Sequence, residues 1–225
     1  MRPLRVLISA GPTREPIDPV RFLSNYSTGY MGSCLAREAG RRGHRVTLVT
    51  GPTQIAPPRG ARLVRVERSS QMRAALQRHL RAADVLIMAA AVCDYQPAQT
   101  RAHKLPRRGR LVLSLKATPD IVGSLPRRRG QLVVGFALES ARVLAKAKAK
   151  LRRKRLDLLV AQHLPAPRGT GQAGLNGASP FGERAVQAWL LDAEGTVRPL
   201  GRMRKPQLAK QLFDAIERHR RSPAR

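Results

Sequence analysis

Asn25 stands between Ser24 and Tyr26 in a polar stretch. An amide there can hydrogen-bond a developing negative charge, or it can serve as an Asx-turn or helix cap. Arg21, four residues earlier, is an anion clamp or a surface charge, and composition leaves both readings open. A second setting is Ala89-Ala90-Ala91-Val92-Cys93-Asp94-Tyr95. Three small residues at a strand's end let a ligand approach the backbone closely. The Asp94 carboxylate can meet Mg²⁺, accept from a ribose or a base, or simply cap a turn. Cys93 reads as a small buried side chain, because no Cys-His arrangement accompanies it.

Lysine supplies the third setting. Only eight of the 43 basic residues are lysine, and a compact ammonium does not substitute for a planar guanidinium at a phosphate. Lys104 is the first lysine of the chain and falls in residues 96–110, a polar, basic, proline-broken stretch with the composition of a mobile flap. A lysine on such a loop can close over a triphosphate and follow charge onto the leaving group, or it can be there for solubility. Lys146, Lys150 and Lys154 recur at i, i+4 and i+8 and so share one helix face. Like charges aligned this way weaken a helix unless they are solvated or matched by an anion. His44, His79, His103, His163 and His219 show no metal-ligand spacing. No Ser-His-Asp set can be nominated, and no metal ligand is assigned.

The elements that must position these groups follow from hydrophobic patterning. Residues 4–9 are a branched apolar run stopped by Ala-Gly-Pro-Thr, residues 29–42 carry apolar side chains at helical spacing, and residues 45–49 are a second strand. Residues 63–66, 69–80 and 84–91 repeat strand, helix and strand. Crossovers of this length join parallel strands, right-handedly. Regularity lapses until the strand at 132–136, the helix at 140–155 and the strand at 156–161. Residues 165–180 are Gly/Pro-rich, 185–191 and 196–200 read as a hairpin, 205–220 as a closing helix and 222–225 as a frayed end. The fold expected is α/β: a doubly wound, mostly parallel, Rossmann-like sheet with a flap and a C-terminal hairpin-helix excursion. Residues 1–225 form one domain.

Composition bounds the class. With 42% hydrophobic and 25% charged residues the chain is globular, and aromatics at 4% leave an aliphatic core. The longest apolar run, residues 85–93, falls well short of the roughly 20 residues that span a bilayer. Two cysteines without metal spacing make a reducing cytoplasm the expected location. The net charge of +29 attracts anions such as nucleotides and phosphate esters. Arginine is spread through nearly every segment instead of gathered in a stripe, so nucleic acid is not the expected partner.

In such a sheet ligands sit beyond the carboxyl ends of the strands, here the loops after Ser9, Val49, Ala91 and Phe136. The dinucleotide fingerprint is absent in its standard form. Seventeen residues, Gly11 to Ser27, intervene after the first strand, and Gly29 and Gly32 occur only at the helix start. Phosphate binding at residues 27–32 survives this, while hydride transfer loses support.

The string ISAGPTREPIDPVRFLSNYSTGYMG, followed in order by AAAVCDY, an HKL flap, TPDIV, VVGFALES and KLRRKRLDLLVA, resembles phosphopantothenate–cysteine ligase of coenzyme A biosynthesis over residues 4–217. In many bacteria that ligase is fused behind a flavin-dependent decarboxylase. With three residues before Leu4, the expectation here is a free-standing ligase without the decarboxylase domain. The resemblance implies that the carboxylate of 4′-phosphopantothenate attacks the α-phosphate of CTP, or of ATP as in the eukaryotic enzyme, with Mg²⁺ present. L-cysteine's amine then displaces the nucleotide. It implies a catalytic role for Asn25 and for Lys104 on the flap, and substrate contacts from Gly11, Arg21 and Asn25. Nucleotide contacts are implied for Ala90, Ala91, Asp94, Pro119, Asp120, Ile121, Val122, Phe136, Lys150 and Lys154. A homodimer is implied as well. The chain departs from the family pattern at Gly29-Tyr30-Met31-Gly32, where the second residue is usually lysine, at the flap's Lys104-Leu105-Pro106-Arg107-Arg108, at Arg155, and at Ala161-Gln162-His163. Two other classes fit the sequence less well. A nicotinamide-dependent oxidoreductase needs a glycine fingerprint and a Tyr-x-x-x-Lys pair, neither of which is in place. A non-catalytic basic module of the same fold is opposed by the retained Asn25 and Lys104.

Overall fold

β1 (Arg5–Ala10) is buried at its last five residues, the pattern of a parallel strand covered on both faces. The computed structural model describes residues 2–107, 109–165 and 181–221. After β1 the chain makes a small antiparallel hairpin of β2 (Arg14–Pro16) and β3 (Phe22–Ser24). Helix α1 (Tyr30–Arg41) then crosses to β4 (Arg45–Thr50), followed by β5 (Arg62–Arg65), α2 (Ser69–Leu80) and β6 (Val85–Met88). A second antiparallel hairpin, β7 (Tyr95–Pro97) and β8 (Leu115–Ala117), precedes the single-turn helix α3 (Ile121–Ser124). β9 (Leu132–Glu139), α4 (Val143–Arg153) and β10 (Leu158–His163) continue the alternation. β11 (Val186–Asp192), β12 (Val197–Met203) and α5 (Lys205–Arg221) close the chain.

Eight strands form one sheet in the order β12-β11-β10-β9-β6-β1-β4-β5. All contacts from β10 to β5 are parallel, with Ile8 of β1 opposite Leu48 on one side and Ile87 on the other. β11 and β12 pair antiparallel, and β11 joins β10, Leu158 opposite Asp192. The C-terminal hairpin is thus the sheet's own edge. The chain winds outward from β1 through β4 to β5, then returns to β6 on the other side of β1. The gap between β1 and β6 is therefore the switch point at which open α/β sheets bind ligands.

Two aliphatic cores result. α1 and α5 press Leu35, Ala39, Leu208 and Leu212 onto Val6, Ile8 and Ile87. α2 and α4 press Met72, Leu76, Leu80 and Leu151 onto Leu7, Leu86 and Val133. Among the largest fully buried side chains Phe213 is the sole aromatic, as the composition requires. Among the described residues no helix is long and apolar enough to cross a membrane.

The structure departs from the sequence expectations where elements are short. Regular strand ends at Met88 instead of residue 91. The lapse after Ala91 hides β7, β8 and α3, and the loop after β1 hides β2 and β3. Three-residue strands span too few periods for alternation to register. α4 runs over Val143–Arg153 instead of 140–155, because Arg142 and Arg155 both take left-handed backbone, φ 50°. The expectations at 166–180 and 222–225 lie outside the described residues.

Candidate active site

The two loops at the switch point are stitched together by Thr13. Its N–H donates to Ala91 O at 3.2 Å, its Oγ1 accepts from Cys93 N–H at 3.0 Å, and its carbonyl accepts from the Ser24 hydroxyl at 2.8 Å. Thr13 and Cys93 are buried. Burial also pushes the Cys93 thiol up from its ordinary pKa, which disfavours the reactive thiolate, and the side chain is buried as the sequence suggested. The Ala90 N–H donates to Ser9 Oγ at 3.2 Å and the Ala91 N–H to Gly11 O at 2.9 Å. The small residues of 89–91 thus continue the β1–β6 pairing past the sheet. Gly11 has φ +73° and crosses the loop after β4, where a Cβ on Gly51 would lie 1.7 Å from Pro12 O. Only glycine permits that crossing.

Asn25 projects from just beyond β3. Its Nδ2 donates to Ala91 O at 2.8 Å, with Cys93 Sγ 3.8 Å away, and the residue is exposed. It is neither an Asx-turn nor a helix cap, since the N-cap of α1 is Gly29, in left-handed backbone. The amide instead ties the two loops across the switch point and remains open to solvent.

Arg21 is committed. Its guanidinium pairs with Asp18, with Nε at 3.0 Å from Oδ2 and Nη2 closer, and Nη2 donates to Leu105 O at 2.9 Å. Asp18 is buried and also accepts from the N–H groups of Val20, Arg21 and Leu105 at 2.9, 2.8 and 3.1 Å. The Arg21 hydrogen bond, with those N–H groups, holds the Asp18 carboxyl well below the carboxylate range against its desolvation. Sequence reasoning missed Asp18, although its i, i+3 spacing to Arg21 was a signal. The knot fastens the flap onto the β2–β3 turn, helped by Arg101 N–H on Ile17 O at 2.9 Å. Lys104, next to Leu105, is exposed.

The residues expected to contact a nucleotide flank the switch point on the side of the loop after β6. Asp94 is exposed and its carboxylate hydrogen-bonds nothing among the described residues, while its carbonyl accepts from Thr118 N–H at 2.9 Å. That contact brings Pro119 and Asp120 alongside. Asp120 caps α3 through Gly123 N–H at 3.1 Å and pairs with Lys154. Burial opposes its charge, but the Lys154 ammonium and that N–H keep its carboxyl below the ordinary value. Ile121 is buried and Val122 half-buried against the second core. Lys150 donates to Phe136 O at 2.7 Å, and burial lowers its pKa against the pull of Glu139 and Asp94. Lys146 pairs with Glu139 at 2.7 Å. The three aligned lysines are therefore matched by the protein's own acceptors, which is how α4 tolerates them. Among the described residues no three acidic, histidine or cysteine side chains are grouped to hold a metal ion.

On the opposite side of Asn25 lies a cavity of about 910 Å³, walled by the loop after β1, the start of α1 and residues 51–58 after β4. Of the residues singled out in the sequence, Asn25 and residues 27–30 of the expected phosphate-binding stretch line it. Gly11, Arg21, Ala90, Ala91, Asp94, Lys104 and the residues from Pro119 to Lys154 lie outside its walls. The loop after Val49 was expected to matter, but the residues that build the wall, such as Thr53, Ile55 and Pro57, are ordinary loop types that carried no signal.

The family model for DNA/pantothenate metabolism flavoprotein C-terminal domains matches residues 1–219. A protein named cysteine/cysteine sulfinic acid decarboxylase, from an unknown prokaryotic organism, is 38% identical over 216 residues, covering 94% of this chain and 57% of that protein. The coenzyme A biosynthesis bifunctional protein CoaBC of Mycobacterium tuberculosis is 39% identical over 226 residues, 94% of this chain and 51% of its own length. The chain spans about half the length of the curated relatives it matches. The crystal structure of the C-terminal domain of a CoaBC protein superposes with a TM-score of 0.77 at 34% identity, covering 96% of this chain and 95% of that one.

Proposed function

The chain belongs to the family of DNA/pantothenate metabolism flavoprotein C-terminal domains, and from that we propose that it is a ligase joining 4′-phosphopantothenate to L-cysteine in coenzyme A biosynthesis. The observation that carries the reading is the placing of Asn25. Its amide is anchored to Ala91 O on the nucleotide flank and also forms part of the cavity wall. A carboxylate delivered from the cavity meets a nucleotide lying along residues 90–94 beside that one side chain.

The chemistry runs in two steps. A carboxylate oxygen attacks the α-phosphorus of a nucleoside triphosphate, forming an acyl-nucleotide and releasing pyrophosphate. The cysteine amine then attacks the acyl carbon, forming the amide and releasing the nucleoside monophosphate. Asn25 offers its amide N–H to the oxygen that gains charge in each attack. Asp94, whose carboxylate is unengaged among the described residues, receives the nucleoside. Phe136 and residues 119–122 shape its surroundings, with Lys150 and Lys154 supplying positive potential beside the phosphates. Lys104 brings a compact charge to the leaving pyrophosphate. Magnesium would accompany the triphosphate and neutralise part of its charge.

CTP is the preferred nucleotide in this reading, with ATP the alternative, and the cytoplasm is its place. The exposed apolar side chains Val20, Phe22, Tyr26, Tyr95, Val112 and Leu115 sit on the two small hairpins and the flap. A second copy of the chain is the partner we assign to that face, and light scattering at twice 24.8 kDa is the expected result.

The test mixes protein, Mg²⁺ and 4′-phosphopantothenate with CTP or ATP, first without cysteine. Pyrophosphate in at most stoichiometric amount, becoming continuous turnover when cysteine is added, is expected. No pyrophosphate with either nucleotide rejects the ligase.

A further inference from the structure

We propose that the amino-terminal edge of the sheet binds double-stranded nucleic acid through its phosphate backbone, a role beyond the ligase reading and independent of it. Arginine spread through nearly every segment does not read as a stripe in the sequence, yet the fold gathers it into one. A parallel sheet wound through helices brings the chain back to the same edge before each strand, so one arginine per return becomes a row. β5 begins with Arg62, β4 with Arg45 and β1 with Arg5. Arg129 stands three residues before β9, and Arg155 three before β10. Arg5 and Arg45 are directly opposite each other in the β1–β4 register. All five are exposed.

β6, in the middle of the row, is preceded by Asp84, which joins its neighbours. The buried Asp84 carboxylate accepts from Arg5 Nη2 at 2.8 Å and from Arg128 Nη2 at 3.1 Å, and the two arginine side chains remain 49% and 45% exposed. One carboxylate between two guanidiniums leaves the junction positive. Arg127 ties the next gap, donating to Arg155 O and, at 2.6 Å, to Lys154 O. No hydrogen bond or ion pair engages the side chains of Arg45, Arg62, Arg129 and Arg155 among the described residues. Of the other acids at this edge, Asp157 accepts from Val133 N–H at 2.6 Å and Asp192 lies one strand beyond the row, on β11. Six strands at the usual spacing make the row about 24 Å long, a length over which one strand of a duplex presents about seven phosphates. Planar guanidinium forks suit phosphate oxygens. The exposed aromatics Phe22, Tyr26 and Tyr95 sit on or beside the two small hairpins, at the carboxyl edge. Bases therefore have nothing to stack on at the arginine row, which favours a duplex held by its phosphates over a single strand.

The test is fluorescence anisotropy of a labelled DNA duplex of about 20 base pairs, between about 50 and about 200 mM salt, where about six phosphate contacts give a slope of log affinity on log salt of about −5. Arg45→Gln/Arg129→Gln, with a melting curve matching the wild type, should lose roughly ten- to hundredfold in affinity and make that slope shallower by about two. Arg142→Gln/Arg202→Gln removes the same charge from the N-cap of α4 and the end of β12, at the carboxyl edge. It should stay within about twofold of the wild type, because charges beyond a Debye length are screened. Unchanged duplex affinity in the folded Arg45/Arg129 variant overturns the inference. So does an equal loss in both variants, which would make binding a diffuse effect of net charge. Tighter binding of polyglutamate would assign the face to an acidic protein, and tighter binding of the single strand would put the contact on bases; either overturns it too. None of these readings uses pyrophosphate release, so failure of the ligase assay leaves the face standing.

Discussion

Asn25 does its structural work through a single hydrogen bond of 2.8 Å to Ala91 O while its side chain stays exposed. A net contribution of about 1 kcal/mol is typical of such a bond, whereas an amide aimed at developing charge contributes far more to rate. Asn25→Ala should therefore melt within a few degrees of the wild type and lose about a hundredfold or more in kcat. Steady-state kinetics beside a melting curve reads both, and a variant that keeps wild-type turnover would remove Asn25 from the chemistry. At this scale the sequence was informative about residue types and poor about commitments. Asn25 was legible as an amide near charge, but local sequence could not distinguish a cap from a cross-loop tie, because its acceptor is 66 residues away. Arg21 showed the converse, since its partner Asp18 was three residues off yet the knot they form involves Leu105, a flap residue far along the chain.

That knot determines how an element behaves. The flap between β7 and β8 is fastened to the β2–β3 turn by the Asp18 carboxylate, so Lys104 is presented from a tethered loop. Asp18→Asn should speed hydrogen exchange at Leu105 and neighbouring flap amides while leaving β1 and β6 protected. Equal protection in the variant would show the tether to be idle. The pH dependence has a defined sign. A carboxyl held below its unfolded value stabilises fully above about pH 4 and loses that contribution as pH falls through the folded value. The flap of the wild type should thus loosen only under more acid conditions than an ordinary carboxylate would allow. Longer elements were readable because apolar periodicity persists over them, as in β1, α2 and β9. The boundaries of α4 were not, because a left-handed Arg142 precedes its first turn and a left-handed Arg155 follows its C-cap where glycine would normally signal a stop. The hairpins β2–β3 and β7–β8 were invisible for want of length, and they are the pieces that carry Asn25, Asp94 and the flap into place.

At the scale of the whole molecule, sheet order and net charge act together. Winding outward from β1 and back to β6 opens a switch point, and a chain at +29 surrounds that opening with a field that draws anions. The doubly wound fold was legible from alternating strands and helices. The cavity was not, since its wall joins loops from two distant strands and only the folded sheet puts them side by side. The central claim is that a carboxylate from the cavity attacks a nucleotide's α-phosphorus beside Asn25. The most direct measurement uses 4′-phosphopantothenate labelled with ¹⁸O in its carboxylate, followed by mass spectrometry of the products after turnover with cysteine. Transfer of one labelled oxygen to the released nucleoside monophosphate is the predicted result. Label appearing in inorganic phosphate, or remaining wholly out of the nucleotide while product forms, would contradict the account.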